Sequence, residues 1–536
     1  MDEGGGVCDP ISGAKRSAAA SAATRTEAAR GEATFLRTTW RAMRQGRTFA
    51  VALVALSCSR GEGRRDAIEV LVPAAPQTLD PRYAIDAVGM RVTRLVHAGL
   101  VRLDAESLAP VPYAAASWTW DDETHLRVLL RRDVRFSSGA PLEARDVCAT
   151  LAAFADPALG SPHRGVTANI AACDEVSPGE VVLTQRERRA TLLTDLEVPI
   201  LRRDEAAAPP RAEGVLDGLG PFALRSSSHD FIELAARAGS PLPRPAHDVA
   251  IRVVHDENAR AVRLLAGRAD VVPNGLSPVL LDAVEREGAR VVARGGSNLT
   301  YLAVASGRGA VSSLDARRGL DLAIDRALLV RTLLGGRARV ASGVLPPESW
   351  VAPAPRPSRF APAEARPLFA SAGLARATLL VSSDRARGVL ARAIAQMLGD
   401  VGVAIEVVPL ELGVLLHRLA VGDFELAILQ IPEITEPDLL RWFFHSAYAP
   451  TTENGMVGAN RTRYASAAVD RLLEAGRTAV DHETRAPAYR AVVAELARDL
   501  PVIPLFHEDQ IAALSTRAAT FRPSAEGRWL GLAALP

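Results

Sequence analysis

Lysine is almost absent from this sequence of 536 residues, which holds Lys15 and no other lysine among its 63 lysine and arginine residues. The basic residues are balanced by 62 acidic ones, so the formal net charge is +1. Proteins that bind nucleic acid concentrate basic side chains on one surface, and a balanced chain gives no sign of such a surface. We therefore expect no nucleic-acid partner.

Cysteine is also scarce. The four cysteines, Cys8, Cys58, Cys148 and Cys173, form no Cys-x-x-Cys pair and have no histidine at a spacing suited to zinc. We expect neither a metal site nor a cofactor. Cys148 and Cys173 are near enough in the sequence to form a disulfide in an exported protein, and two buried free thiols fit the pattern equally well.

The motifs of common catalytic sites are missing as well. The sequence contains no Gly-x-Ser-x-Gly elbow, no His-Glu-x-x-His zinc motif, no Walker A loop and no Gly-x-Gly-x-x-Gly between a strand and a helix. His-Asp pairs occur at 229–230, 247–248 and 255–256, and two of them lie in polar or proline-rich loops, a setting typical of solvated surface. The sequence therefore predicts a protein that is not an enzyme.

Residues 1–57 are interpreted as an N-terminal extension that ends in an export signal. The apolar run within Thr48–Ser57 holds about ten residues, too few to span a hydrocarbon core about 30 Å thick. It follows the basic segment Met43–Arg47 and precedes Cys58, an order that resembles a bacterial lipoprotein signal peptide. The resemblance implies a lipidated Cys58, a tether at 58–65 and a protein held at a membrane surface, in the periplasm or outside the cell.

Two alternatives for this segment stay open. Ala55 stands where lipoprotein signals usually have Leu, so a plain cleaved signal or a single anchoring helix also fits. Residues 1–42 are rich in small residues and show little apolar periodicity, and we interpret them as sequence upstream of a translation start at Met43.

The rest of the chain has the composition of a globular protein. Its apolar fraction of 48% and charged fraction of 23% are ordinary values, and its length suits about two to four folding units. A strand at 403–408, a helix at 415–420 and a strand at 424–429 follow in close order, which indicates parallel pairing in an α/β domain. The proline-flanked strand at 501–506 suits a segment that crosses between domains.

A series of motifs runs through the mature chain in one order. Taken together they resemble the family 5 extracellular solute-binding proteins, the peptide and nickel-type binding components of ABC importers. The longest is 130–147, which is similar to the family pattern LRkgVkFhdGtpltAeDV, and it is accompanied by segments at 76–81, 97–101, 108–118, 218–222, 263–272, 315–326, 464–473 and 500–505.

The resemblance implies an α/β, two-lobe periplasmic-binding-protein-like fold of the Venus flytrap kind. Lobe I would comprise 66–297 plus 500–536, with an extra subdomain at about 83–210, and lobe II would comprise 298–499. A peptide or similar small molecule would be captured between the lobes and delivered to ABC permease and ATPase subunits by a monomeric binding protein. A ligand-sensing surface protein of the same fold, without transport, is the alternative.

The resemblance also points to ligand-binding residues. After the strand at 424–429 the family usually carries a segment like gW..D..dP, whose first Asp pairs with the α-amino group in peptide binders. The corresponding stretch here places Glu433 at the amine-binding position and Gln430 at the Trp position, with Ile431 between them. We expect these three residues to contact the ligand, while a solvated loop carboxylate at Glu433 fits the sequence equally well.

Overall fold

The computed structural model describes residues 66–209, 216–351, 358–456, 458–479 and 481–536. The predicted export signal, the tether and Cys58 lie outside the described residues. Within the described ranges, no helix is both long enough and apolar enough to cross a membrane.

The described residues form seventeen strands and fifteen helices, in addition to short 3-10 turns. The strands, β1 to β17 in chain order, are Ile68–Val72, Val101–Leu103, Pro110–Pro112, Ala115–Trp120, His125–Leu130, Ile170–Ser177, Glu180–Gln185, Phe222–Ser227, Phe231–Ala236, Val249–Val253, Val271–Pro273, Arg290–Val304, Ala338–Val340, Arg376–Ser382, Ala404–Leu410, Leu426–Ile431 and Val502–Leu514. The helices, α1 to α15, are Ala87–Val96, Ala144–Ala155, Arg164–Thr167, Leu192–Asp195, Arg203–Ala206, Glu257–Leu265, Pro278–Arg286, Leu314–Ala323, Arg326–Leu333, Pro362–Ala372, Arg385–Gly399, Leu412–Ala420, Leu440–Phe444, Ala467–Thr478 and His482–Asp499.

Two long antiparallel strands organise the main sheet. β12 has 15 residues and β17 has 13, and they pair from Arg290 opposite Leu514 to Ala303 opposite Val502. One end of this pair continues through β11, β1, β10, β9 and β8, and the other end continues through β16, β14 and β15. We use the name lobe I for the elements around β11, β1, β10, β9 and β8, and the name lobe II for those around β16, β14 and β15. β12 and β17 belong to both lobes.

The α/β pattern predicted for lobe II is confirmed. β14 pairs in parallel with both β15 and β16, and the helices α11 and α12 connect these strands. Side-chain caps fix where the connecting helices begin, because Asp384 accepts a hydrogen bond from the Arg387 amide at the start of α11, and Glu411 does the same for Val414 in α12. Apolar cores fill both faces of the sheet, which explains why the strands are rich in Leu, Ile and Val.

Lobe I carries a second, smaller sheet with a core of its own. Its four strands lie in the order β4, β5, β7, β6, and the helix α2 packs on them. Cys148 of α2 and Cys173 of β6 form a disulfide, which decides between the two alternatives that the sequence left open. The exact lobe bounds and the extra subdomain at about 83–210 stay predictions.

The motif at 130–147 forms a turn followed by the start of α2. Gly139 adopts φ +90° in the turn, a conformation that side chains with a Cβ disfavour. The helix then begins at Ala144 with a reciprocal cap, in which the Asp146 carboxylate accepts a hydrogen bond from the Glu143 amide at 3.0 Å.

Candidate functional site

A cleft of about 340 Å³ lies where β12 and β17 pass from one lobe to the other. Lobe I contributes residues of α1 and of the segment between β11 and α7, and lobe II contributes Asn298, Leu334, Arg337 and Gln430. The floor is formed by β17 at residues 508–511. The cleft is therefore lined from both lobes and from the strands that join them.

The close crossing of β12 and β17 positions this floor. Their pairing is interrupted by a bulge between Arg294 and Asn298, and a Cβ at Gly296 would lie 2.0 Å from the Glu508 carbonyl oxygen. Only a residue without a side chain allows the backbones to approach so closely. The bulge bends β12 and brings Asn298 to the cleft.

Asn274 ties the lobe I wall to the same floor. It follows β11 with φ +49°, a conformation that asparagine tolerates better than most residues. Its side chain donates a hydrogen bond to Gln510 Oε1 at 2.6 Å and accepts one from the Ile511 amide at 2.8 Å. These two contacts hold the wall and the floor in a fixed relation.

Glu433 lies just beyond the end of β16 and reaches across to lobe I. Its backbone has φ +44° and its amide donates to Asn298 Oδ1 at 2.8 Å, which holds this strained conformation in place. The carboxylate Oε2 lies 3.4 Å from Arg94 Nη1 of α1, and the two side chains are 27% and 25% exposed. The carboxylate predicted to hold an ammonium group thus already has a cationic partner.

Gln430 and Ile431 point to opposite sides of β16, as neighbouring residues of a strand do. Gln430 lines the cleft, and its amide donates a long hydrogen bond to Thr300 Oγ1 at 3.4 Å. Ile431 is fully buried in the apolar core of lobe II, which leaves only its backbone for a ligand. The structure brings Gln430 to the cleft and Glu433 to the lobe contact, and ligand binding by all three residues stays a prediction.

A second cluster of charges, which the sequence analysis missed, lies in lobe I near α1. Buried Arg528 pairs with both oxygens of Glu197, one of them at 2.7 Å, and lies 3.5 Å from Glu526. Burial raises the pKa of Glu526 and Arg528 opposes that rise. Burial lowers the pKa of Arg528, but Glu197 and Glu526 outweigh it and hold the pKa above its ordinary value. Glu433 also acts on Arg528, so the two charge clusters are electrostatically linked.

The lobes also touch at a second place, among residues that do not line the cleft. The Ala190 amide of lobe I donates to the Arg477 carbonyl of lobe II at 3.2 Å, and Arg477 Nη2 lies 3.6 Å from Glu187 Oε1. The pair of Arg94 and Glu433 is a further contact between the lobes. In the part of the chain that the structure describes, no group of three or more His, Cys, Asp or Glu side chains is placed to hold a metal ion.

The amino-acid sequence is similar to those of known solute-binding proteins. A sequence profile of the bacterial extracellular solute-binding proteins, family 5 (middle region), matches residues 109–450. The chain is 28% identical over 511 residues to Protein XP55 of Streptomyces lividans, which covers 90% of this chain and 92% of that protein. It is 27% identical over 389 residues to the glutathione-binding protein GsiB of Shigella dysenteriae, which covers 70% of this chain and 75% of that protein.

A solved structure confirms the two-lobe fold. The oligopeptide-binding protein AppA of Bacillus subtilis, in complex with a nonapeptide, superposes with a TM-score of 0.74 at 19% identity. The match covers 87% of this chain and 98% of AppA. The α/β periplasmic-binding-protein-like architecture predicted from the sequence is thereby confirmed.

The two ion pairs beside α1 differ in burial and should differ in their contribution to stability. Arg528→Met leaves Glu197 and Glu526 buried without their cation, and we expect it to lower the free energy of unfolding by about 3–5 kcal/mol. Arg94→Met breaks a partly exposed pair and should cost about 1 kcal/mol or less. Urea unfolding of the full-length chain and both variants measures the difference. Equal losses in the two variants would contradict the assignment of Arg528 as the buried charge centre.

Proposed function

Because this chain belongs to the family 5 bacterial extracellular solute-binding proteins, the binding components of ABC importers, we propose that its own ligand is a peptide or a similarly shaped small molecule. The ligand is captured between the lobes and passed to a membrane permease, and ATP hydrolysis belongs to the partner ATPase subunits. The binding protein itself acts as a monomer and carries out no catalysis. The observation that carries this proposal is the cleft lined by both lobes and floored by their crossing strands.

The connection between the lobes supports capture by closure. Lobe motion has to be absorbed where β12 and β17 cross, because both strands pass from one lobe to the other and their pairing is interrupted at the bulge between Arg294 and Asn298. A ligand bound between the lobes makes contacts with both of them only when they are closed, and it therefore shifts the population toward the closed state. We assign the contact of Ala190 with Arg477 to that closed state, whereas the pair of Arg94 and Glu433 has to open for the ligand.

The relatives support a peptide ligand. GsiB is named for binding glutathione, a small peptide, and AppA was solved with a nonapeptide. In this chain Glu433 offers a carboxylate at the contact between the lobes for the ligand's ammonium group, and Gln430 lines the cleft in the place of an aromatic side chain. An ammonium group at Glu433 competes with Arg94, so binding requires this partly exposed pair to rearrange at low cost.

The role of Glu433 is tested with unblocked dipeptides. We expect Glu433→Gln to weaken binding of a dipeptide retained by the wild type about tenfold or more, because a charge-assisted hydrogen bond to the ammonium group is lost. The N-acetylated form of the same dipeptide should bind the wild type poorly and be indifferent to the substitution. Isothermal titration calorimetry provides the affinities.

Glu453→Gln, at an exposed carboxylate of lobe II, is the matched control and should bind as the wild type does. Equal affinities of wild type and Glu433→Gln for the unblocked dipeptide would remove the ammonium-binding role. Failure of the wild type to bind any member of a dipeptide pool would instead contradict the peptide class.

We also propose that translation starts near Met43 and that Cys58 is diacylated and becomes the first residue of the mature protein, because stable anchoring takes two acyl chains or an equivalent second signal. Cys58→Ala should release the protein from the membrane fraction to the soluble fraction of cells that export it, whereas Ser59→Ala should leave it membrane-bound. Cell fractionation and mass spectrometry of the mature N-terminus measure both outcomes. Unchanged membrane association of Cys58→Ala, or recovery of residues 1–40 in the mature protein, would contradict the proposal.

A further inference from the structure

The cleft has four charged residues in its lining, and three of them have an ion-pair partner. The pairs are Arg337 with Asp282 at 2.7 Å, Glu508 with Arg387 at 3.1 Å and Asp509 with Arg339 at 3.9 Å. The fourth is Arg91, whose side chain makes neither a hydrogen bond nor an ion pair with any residue in the described ranges. The cleft therefore contains one cation whose charge no neighbouring side chain neutralises directly.

Packing, and not an acidic partner, holds Arg91 in place. The guanidinium carbon lies 5.6 Å from the centre of the Trp529 ring. Gly527 leaves room for it, since a Cβ there would lie 2.9 Å from Arg91 Nη2. The Nε atom is buried without an acceptor. The side chain is thus fixed at the cleft with unused hydrogen-bonding capacity.

The surroundings make this charge costly. Burial lowers the pKa of Arg91, and Arg94 lowers it further, while Glu433 opposes both effects. Glu433 is nevertheless engaged by Arg94. An arginine stays charged even in such a setting, so the folded protein carries an uncompensated, largely buried cation that an anionic group would stabilise.

We propose that Arg91 binds the C-terminal carboxylate of the captured peptide, through the paired N–H groups of its guanidinium. The proposal rests on the function proposed above and deepens it by naming the anionic end of the ligand. A planar guanidinium presents two parallel donors that match the two oxygens of a carboxylate. Arg91 and Arg94 are three residues apart on α1 and therefore share one face of the helix, which places the proposed carboxylate site next to Glu433.

Three pools of dipeptides test the proposal by equilibrium dialysis and mass spectrometry. The first pool has free termini and no acidic side chains, the second is the same pool with C-terminal amides, and the third consists of amides with one Asp or Glu side chain. The amount of bound dipeptide should be about tenfold or more higher for the first pool than for the second in the full-length wild type. Arg91→Gln should abolish this preference. Arg268→Gln, at an exposed arginine of lobe I outside the cleft, is the matched control.

Each outcome decides the proposal. A wild type that retains the first two pools equally, or an Arg91→Gln variant that keeps the preference, overturns the carboxylate site while leaving peptide capture intact. If the wild type retains the third pool and not the first, and Arg91→Gln no longer retains the third pool, then Arg91 binds acidic side chains. This result overturns the assignment of Arg91 to the C-terminal carboxylate. If no pool is retained, peptide capture is contradicted. Thermal unfolding with acetate then tests the carboxylate site separately. A rise in the thermal midpoint of the wild type but not of Arg91→Gln would keep a carboxylate site at Arg91, and equal midpoints would remove it.

Discussion

The pairing of β12 with β17 is the interaction on which the rest of the structure depends. Each strand contributes one end to the sheet of lobe I and the other end to the sheet of lobe II. The same two strands therefore complete the cores of both lobes, join the lobes and form the floor of the cleft. The bulge at Gly296 matters because it allows the two backbones to stay in contact while their direction changes.

The charged residues around the cleft are of two kinds, those that stabilise the fold and those that are candidates for ligand contacts. Arg528 is buried with two carboxylates, Glu197 and Glu526, and its loss should mainly affect stability. Glu433 and Arg94 form a partly exposed pair across the lobes, which suits a contact that rearranges when ligand enters. Arg91 alone faces the cleft without a partner among the described residues. In this account the protein supplies a cation and an exchangeable carboxylate, and a peptide supplies the complementary termini.

Part of this could be predicted from the sequence. The order β15, α12, β16 follows from short-range periodicity, and the motif order predicted the family and the two-lobe fold. Glu433 was placed at a strand end, but its partner Arg94 lies 339 residues away in the chain, and no local pattern relates two such positions. Ile431 was expected at the ligand because the resemblance placed it between Gln430 and Glu433, and its contact with a ligand stays a prediction. The strand extends through Ile431, and the alternation of its side chains turns this one into the core.

The central claim is that a ligand is held between two lobes, which close around it by bending at β12 and β17. Small-angle X-ray scattering tests this claim most directly. The full-length chain is stripped of small molecules and then saturated with a dipeptide that calorimetry shows to bind. The account predicts an open ensemble without ligand and a smaller radius of gyration with it, because only the closed state contacts the ligand from both sides. Identical scattering curves with and without saturating dipeptide would contradict capture by closure.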